Sequence, residues 1–350
     1  MPGTGHLVLY KSIALVFIFA AIQLFAQNHP NPKIDSLLQN GIEKLLHQNY
    51  KSAEVVFNKL KIEFPKNPLG HIYLTAAKIA RAVDYEEKLN EHQLDSLLTI
   101  AKTQADDLLD FDDKSLWNNY YDALIYGYRA YYNSVNSNLI SAFADGVLSL
   151  HSFQHCLEID NDFNDALIAI GIYKYWKSAQ TKSLNWIPFV KDEREEGIAI
   201  LESAITHDSY NQYLAVHSLI WIYIDNGESE KAIELSKKML SKYSDSRFFR
   251  WGLARAYEDI NKEKAIEIYH EILASIEQIN NRNFFNDIVL KHKMAMLYYD
   301  LGDYNQSSQL CDEILNSKIK SNEIKIRLEE RFERVKNLKE ELNEKLENNN

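Results

Sequence analysis

Apolar residues recur along this chain at the three- and four-residue spacing of amphipathic helices, and the helices follow one another in pairs. A set of bulky, aromatic and small residues repeats with a period of roughly 34 positions. A unit of this length is one helical hairpin that cannot bury its apolar face alone, so neighbouring hairpins are predicted to stack. Two stretches show the pattern most clearly, Leu219, Tyr223, Gly227 and Ala232, and then Met294, Tyr298, Gly302, Tyr304 and Cys311.

The best single copy of the pattern lies near the amino terminus and consists of Leu37, Gly41, Tyr50, Ala53, Phe57 and Pro65. Its spacing of large, small and aromatic positions resembles the tetratricopeptide repeat (TPR). Small residues let antiparallel helices approach, and aromatic residues fill the gaps between successive hairpins. The resemblance implies an all-α fold, a right-handed TPR-like solenoid of about seven antiparallel helix hairpins with a C-terminal capping helix.

The array is predicted to cover residues 27–320 without an interrupting linker, with only 6 Pro and 11 Gly in the whole chain. Helical periodicity continues through a degenerate stretch, 67–161, where two further hairpins are expected. In the last copy Ser307 stands where the family usually has alanine. The better copies fall near 34–66, 163–208, 212–245, 247–278 and 288–317.

The amino terminus has the pattern of a secretory signal peptide. Lys11 precedes an apolar run at 13–22, and Ala26 offers a small residue for cleavage before Gln27. The run is short of the ~20 residues that span a bilayer. Residues 1–26 are therefore predicted to be a cleaved signal, which makes the protein periplasmic or secreted and leaves no stable membrane span. The alternative is an uncleaved signal that anchors the protein in the inner membrane.

Charge and chemistry narrow the function classes. The formal net charge of −11 disfavours nucleic acid and anionic membrane as partners, because both require dense Lys and Arg. The sequence has no glycine-rich phosphate loop and no Gly-x-Ser-x-Gly nucleophile elbow. The protein is therefore predicted not to be an enzyme and to need no cofactor. Its expected partner is another protein or peptide.

Two cysteines and one histidine pair are the remaining reactive candidates. Cys156 and Cys311 are predicted to be buried thiols and not a disulfide, since in an array each repeat should touch only its neighbours. His151 and His155 share a helix face and could bind zinc, but no third ligand follows at a diagnostic spacing. Structural or surface histidines are the preferred interpretation, and a zinc hydrolase is the alternative.

Two segments hold more aromatic residues than one packing face requires. In 117–132, Trp117, Tyr121 and Tyr128 share a stripe that is consistent with a core, whereas Tyr120 faces elsewhere and could line the concave groove. The favoured interpretation is that all of these aromatic residues are buried between hairpins, and the alternative is a binding surface that includes Tyr120. The second segment is an insertion near 177–192 that contains Trp186 and Phe189. An apolar loop of this kind either tucks into the groove, which is the favoured interpretation, or presents itself to a partner.

The carboxy-terminal segment, 321–350, is a charged helix with an apolar stripe and a frayed tail. The stripe fits a cap on the last repeat, because a solenoid needs a polar outer face at its end. Its near-heptad spacing also allows a short coiled coil. The chain is thus expected to be a monomer, or a weak dimer through this helix. The stripe comprises Leu328, Phe332, Val335, Leu338, Leu342 and Leu346.

These observations together predict a non-enzymatic protein–protein interaction scaffold of the cell envelope. In TPR proteins the concave face usually holds a peptide segment or a partner helix, so the resemblance implies binding there. The alternative is a receptor for small molecules or glycans, with an aromatic pocket around the 177–192 insertion. The predicted partner-binding residues are Tyr120, Tyr128, Tyr173, Trp176, Trp186, Phe189, Trp221 and Arg250.

Overall fold

The structure, a computed structural model, describes residues 28–135, 138–180 and 191–348. These residues form fifteen helices and contain no strand, which confirms the predicted all-α fold class. In chain order the helices are α1 Pro32–Leu46, α2 Tyr50–Glu63, α3 Leu69–Tyr85, α4 Glu91–Phe111, α5 Leu116–Val135, α6 Leu139–Ile159, α7 Asn164–Gln180, α8 Arg194–Ala204, α9 Gln212–Asp225, α10 Ser229–Lys242, α11 Arg247–Glu258, α12 Lys262–Glu277, α13 Phe285–Asp300, α14 Tyr304–Leu315 and α15 Asn322–Asn348.

The first fourteen helices follow one another as seven successive pairs along the chain, and the degenerate stretch contains the four helices α3 to α6. Tight turns join the helices of the better copies. Gly227 (φ 76°) and Gly302 (φ 80°) adopt the left-handed conformation that ends α9 and α13. A Cβ at either position would meet nothing within 4 Å, so the backbone conformation, and not lack of space, is what favours glycine there.

Small residues set the closest helix approaches, as the repeat pattern predicts. A Cβ added to Gly197 would lie 2.7 Å from the carbonyl oxygen of Gly171, so α7 and α8 cross almost backbone to backbone. Ser307, in the place of the usual alanine, is fully buried and donates a hydrogen bond to the carbonyl oxygen of Ala295 at 2.8 Å. That hydrogen bond explains why a hydroxyl is tolerated at this buried position.

The chain divides into two compact units. Unit A consists of the described residues of Met1–Gly41, Lys59–Gly70 and Ala101–Ala215. Unit B consists of the described residues of Ile42–Asn58, His71–Ile100 and Val216–Asn350.

In unit A the segment before α1 is held by residues distant in sequence. The Nδ1 atom of buried His29 accepts the backbone N–H of Asn31 at 3.0 Å, so its Nε2–H points to the hydroxyl of Tyr121, 2.8 Å away. The backbone N–H of His29 donates to the hydroxyl of Tyr210 at 2.9 Å, and that hydroxyl donates to Asp35. Burial lowers the pKa of His29, which keeps the ring neutral in this arrangement.

In unit B the carboxyl end of α3 is held in the same way. The Arg247 guanidinium donates through Nε and Nη2 to both carboxylate oxygens of Asp84, and both side chains are nearly buried. The hydroxyl of Tyr50 donates to the same carboxylate at 2.9 Å. Asn283 donates to the carbonyl oxygens of Tyr85 and Glu86. Partners 163 to 198 positions apart therefore meet, and the expectation that each repeat touches only its neighbours is wrong.

The cysteine prediction holds although that premise does not. Cys156 and Cys311 are both free and buried. Burial raises the pKa of the Cys156 thiol to about 12 and that of the Cys311 thiol to about 11. Both groups are therefore protonated thiols at neutral pH and poor nucleophiles.

The carboxy-terminal helix α15 is a cap. Its apolar stripe is buried within the chain, and it packs on α14. Four of the six stripe residues are covered and not available for the seam of the coiled-coil alternative, while Phe332 and Leu346 are half-buried. The buried residues of the stripe are Leu328, Val335, Leu338 and Leu342.

Across the described ranges, no helix is both long enough and apolar enough to cross a bilayer. The predicted signal peptide, 1–26, lies outside the described residues and stays a prediction.

Candidate partner-binding surface

The hairpin formed by α5 and α6 is longer than the hairpin that follows it. α5 has 20 residues and α6 has 21, whereas α7 has 17 and α8 has 11. At 1.5 Å per residue, α6 is about 15 Å longer than α8. The distal part of the α5–α6 hairpin, next to residues 136–137, is therefore longer than α8 can cover.

Polar side chains fix the base of this hairpin. Asn118 donates to the carbonyl oxygens of Leu108 and Asp112, both at 2.9 Å. Tyr120 is fully buried and its hydroxyl donates to Asp165 at 3.1 Å. Asp165 also accepts the backbone N–H of Asn211 at 2.8 Å. Burial nevertheless raises the pKa of Asp165, and these hydrogen bonds oppose that rise.

Three of the five buried residues of α6 are polar, namely Asp145, Ser149 and Ser152, and the other two are Phe153 and Cys156. Ser149 is buried and donates to the carbonyl oxygen of Ala123 at 2.8 Å, and Ser152 is buried and donates to Asp122 at 2.9 Å. Nearer the tip, the buried Asp145 carboxylate accepts a hydrogen bond from Asn133 at 2.8 Å. Hydrogen bonds, and not apolar contacts alone, therefore hold this helix to its partner.

The outer face of the same helix is apolar. Helical spacing places its residues on one side. Together they form what we call the α6 outer face, with exposed fractions of 69% for Leu139, 86% for Ile140, 76% for Phe143, 50% for Val147 and 45% for Leu148. Tyr131 and Val135 of α5 are also exposed, at 39% and 49%.

In the amino-terminal half of α6 the usual distribution of side chains is thus inverted, with polar groups inside and apolar groups in water, whereas Phe153 and Cys156 are buried in its carboxy-terminal half. Single exposed apolar residues are common on protein surfaces, but a continuous apolar helix face usually marks an interaction site. From Leu139 to Leu157 the one Asp, Glu, Lys or Arg is Asp145, and its side chain points inwards. Such a face is suited to contact with another apolar surface.

Of the predicted binding residues in α5, Tyr120 does not lie on a surface. It is fully buried and hydrogen-bonded to Asp165, so the expectation that it faces a groove is wrong. Its polar tip finds a buried acid, and its ring packs against Phe163 at 5.1 Å between centroids. Tyr128 is half-buried, and burial raises its pKa to about 12.

Two predicted residues lie on α7, before the insertion. Tyr173 is 42% exposed, and the ammonium of Lys177 lies 5.7 Å from the centre of its ring. Trp176 is half-buried and packs edge-on against Tyr175. Lys177 also donates to Glu193 at 2.8 Å. Lys177, with Lys174, holds the pKa of Glu193 down at about 2.

Trp186 and Phe189, the other predicted residues of the insertion, lie outside the described residues. The aromatic pocket of the receptor alternative depends on them and stays a prediction. One pocket that the structure does show lies in unit B and has a volume of about 30 Å³, with Tyr85, Asn281, Arg282 and Asp287 among its walls. That volume holds only a few water molecules, on the order of two or three.

Trp221 and Arg250 lie in unit B with local partners. The indole N–H of Trp221 donates to Nε2 of His217 at 3.1 Å, and burial lowers the pKa of His217 to about 4. Arg250 donates to the carbonyl oxygen of Ser244, and its Nε lies 3.5 Å from Glu271. Both side chains are half-buried.

The histidine pair on α6 is at the surface. His151 is exposed, and Nδ1 of His155 lies 2.8 Å from Glu158. Within the part of the chain that the structure describes, no three His, Cys, Asp or Glu side chains are grouped to hold a metal ion.

The α6 outer face itself was not among the predicted sites. The segment 139–148 was assigned to a degenerate hairpin, because exposed and buried apolar stripes have the same helical period. Two signals were present in the sequence. Positions 149 and 152, on the opposite face, are both serine, and α6 contains no Lys or Arg.

No protein-family model matches this chain, and no curated relative matches it. Solved structures do match. One is PilW, described as a widely conserved type IV pilus biogenesis factor, at 18% identity and a TM-score of 0.46 over 73% of this chain and 98% of that one. Another is IFIT1, as a monomeric mutant with Gppp-AAAA, at 13% identity and a TM-score of 0.43 over 89% and 67%.

A tetratricopeptide repeat protein from Parabacteroides merdae ATCC 43184 also matches, at 13% identity and a TM-score of 0.32, over 89% of this chain and 99% of that one. The helical hairpins of the chain are TPR-like, as its repeat pattern indicates. Similarity at this level concerns the fold, and no functional argument is drawn from it.

Proposed function

We propose that this chain is a non-enzymatic protein-interaction scaffold of the cell envelope and that the α6 outer face is a docking surface for protein. One observation carries the proposal. Ile140 and Phe143 are 86% and 76% exposed, while on the opposite face of the helix the buried Ser149 and Ser152 both donate hydrogen bonds to α5. Leaving these side chains in water forgoes about 1.5–3 kcal/mol for each one that a partner could cover fully.

Two further features support the proposal, one for the absence of a cysteine nucleophile and one for the envelope location. Both thiols are buried and protonated, which removes the cysteines as nucleophiles. The proposed envelope location rests on the signal-peptide pattern at 1–26, with Lys11 before the apolar run.

The proposed docking surface differs from the one that the resemblance implies. A peptide or partner helix in the concave groove would contact first-helix residues such as Tyr128, Tyr173, Trp176, Trp221 and Arg250. Among these, Tyr173 has a large exposed fraction, and the ammonium of Lys177 already lies near its ring. The α6 outer face offers more exposed apolar side chains and fewer internal partners, so it is the stronger candidate.

Site-specific photo-crosslinking in the native cell envelope tests the proposal. p-Benzoylphenylalanine replaces Phe143 in one strain and Phe111 in another. Phe111 is the matched control, because it is an isolated phenylalanine at the end of α4 and is 89% exposed. We expect discrete protein adducts from position 143 and only background from position 111.

A partner identified in this way should also bind the purified chain, and Phe143→Ser should weaken that binding about tenfold or more while Phe111→Ser leaves it unchanged. Equal adduct yields at the two positions, or no protein adduct at position 143, would show that the α6 outer face is not a docking surface.

A further inference from the structure

The apolar residues of α6 have the spacing of a helix–helix seam. Ile140, Phe143, Val147 and Leu150 follow one another at intervals of three, four and three residues, which is the a and d spacing of a heptad repeat. The first three are at least half exposed and Leu150 is partly exposed. This is two turns of a seam for which the described chain supplies no second helix.

The positions beside the seam carry no formal charge. Leu139 and Gly146 lie on one side, and Ala144 and His151 on the other. In paired helices these flanking positions usually choose the partner through attraction or repulsion of charges. Here nothing repels an identical helix, although the net charge of −11 makes copies of this chain repel each other over the rest of the surface.

A lipid surface fits the same face less well. Helices that lie on membranes combine an apolar face with Lys and Arg on the polar face, and they bind anionic lipid through those charges. α6 contains neither residue, and its polar face is turned towards α5 through Ser149 and Ser152. The face therefore fits an uncharged apolar helix, and a second copy of the chain supplies one.

The adjoining helix extends the same surface. Tyr131 and Val135 near the end of α5 are 39% and 49% exposed, so the apolar area continues from α6 on to α5. Two such hairpins that meet across a two-fold axis would place four helices around one apolar core, which is a common way of building symmetric dimers.

We infer that the α6 outer face pairs with the α6 outer face of a second copy of this chain and forms a two-fold symmetric dimer. The inference rests on the proposed function, because it names the protein that docks on the proposed surface. Each copy buries Ile140, Phe143 and Val147 against the same residues of the other. We expect a weak dimer, with a dissociation constant on the order of micromolar, because only a few side chains of each copy are covered.

Sedimentation equilibrium of protein purified from cells that express the full-length chain tests the inference. We expect a monomer–dimer equilibrium, with the monomer mass being that of the purified chain. The variant Ile140→Ser, Phe143→Ser should raise the dissociation constant about tenfold or more. The matched variant Phe111→Ser, Ile326→Ser removes a phenylalanine and an isoleucine that are 89% and 72% exposed elsewhere, and it should leave the constant unchanged.

Thermal unfolding followed by circular dichroism checks that both variants are folded, as expected for changes at exposed positions. A second measurement does not depend on affinity. In Phe143→Cys an oxidant should link two copies through the new thiol, whereas Phe111→Cys should stay single, since the native cysteines are buried.

A chain that stays monomeric at every concentration and forms no linked dimer from Phe143→Cys would overturn self-pairing. If photo-crosslinking at position 143 then still captures a different protein, the proposed function survives and only the identity of the partner is wrong. If the monomer instead co-sediments with vesicles of phosphatidylethanolamine and phosphatidylglycerol, and Phe143→Ser abolishes this, the face binds lipid and both proposals fail.

Discussion

Helices α6 and α15 carry apolar stripes of similar spacing, but the stripe of α15 is largely buried and the stripe of α6 is exposed. In α15 the stripe is covered by the chain itself, with Val335 and Leu342 fully buried and charged residues outside. In α6 the apolar side is exposed, with Ile140 and Phe143 in water, and the covered side carries Ser149 and Ser152. An apolar stripe in a sequence therefore indicates that a helix has an apolar face to bury. It does not indicate whether the same chain or a partner covers that face.

The difference follows from the neighbours of each helix. α15 follows the last hairpin and packs on α14, so its stripe completes the core at that end. α6 already packs on α5 through hydrogen bonds, and its outer face has no helix of the same hairpin to meet. One stripe thus contributes to the stability of the fold, whereas the other is available for association.

The largest expected effect, on the free energy of unfolding, distinguishes the stripe that stabilises the fold from the stripe that is available for association. Leu342→Ala should lower the free energy of unfolding by about 2–5 kcal/mol, because it leaves a cavity in a fully buried site. Ile140→Ala removes an aliphatic side chain of the same size from an exposed helix position and should change it by no more than about 0.5 kcal/mol. Urea unfolding followed by circular dichroism, at a concentration where the chain is monomeric, measures both.

Equal losses in the two variants would mean that the α6 outer face is covered within the single folded chain. That result would remove the contrast between α6 and α15, and with it the reason for treating the face as a docking surface.

Local patterns in the sequence were sufficient to predict the hairpins. The small residues Gly171 and Gly197 mark a close helix crossing, and Gly227 and Gly302 mark turns that require a left-handed backbone. Each of these signals is complete within one or two repeats, so the number of hairpins and the capping helix could be predicted without knowledge of distant contacts.

No local pattern in the sequence predicts the contacts between segments that are far apart in the chain. Asp84 and Arg247 form a nearly buried ion pair. In the sequence, however, neither residue differs from an ordinary charged residue of a solvent-exposed helix. His29 and Tyr121 meet over 92 positions for the same reason. A repeat pattern describes how a hairpin packs on the next one. It does not predict contacts between segments that are far apart in the sequence.

The candidate site shows the same limit. Tyr120 was predicted to face a groove because it lies off the apolar stripe of α5, but a buried acid, Asp165, provides a partner for its hydroxyl. Phe143 was overlooked because its spacing is that of a core residue. Periodicity reports which residues share a face, whereas burial depends on what that face meets.

A second expected effect concerns how acid acts on the cap. Nδ1 of His292 in α13 accepts a hydrogen bond from Arg331 of α15 at 3.0 Å. The pKa of His292 is lowered to about 4, first by burial and then by the positive charges of Arg331, Arg334 and Lys293. The unfolded chain takes up the proton near pH 6.5. The contribution of a neutral His292 is therefore present above about pH 6.5 and is lost as the pH falls towards 4.

Urea unfolding at several pH values, compared between the wild type and His292→Gln, isolates this group. We expect the variant to lose part of the decline in stability between pH 6.5 and 4, by an amount on the order of 1–3 kcal/mol. Parallel curves for the two proteins would show that the proton does not act through the contact between α13 and α15.

The smallest expected effect tests whether the polar inner face of α6 holds its helix as the inner face of α14 does. Ser149 donates to the carbonyl oxygen of Ala123 and Ser307 donates to that of Ala295, both at 2.8 Å and both buried. Each carbonyl lies on the first helix of the same hairpin. Replacement of either serine by alanine removes one hydrogen bond and should lower the free energy of unfolding by about 0.5–1.5 kcal/mol.

Alanine forms helices slightly better than serine, so the measured losses should fall in the lower half of that range. Equal losses would show that α6 is attached to its hairpin as firmly as a helix of the best repeats, and that its exposed apolar face is a feature of a well-ordered helix. If Ser149→Ala has no effect while Ser307→Ala does, the inner face of α6 contributes little. Its apolar side would then be the side on which the helix depends, and the orientation of α6 relative to α5 would have to be revised.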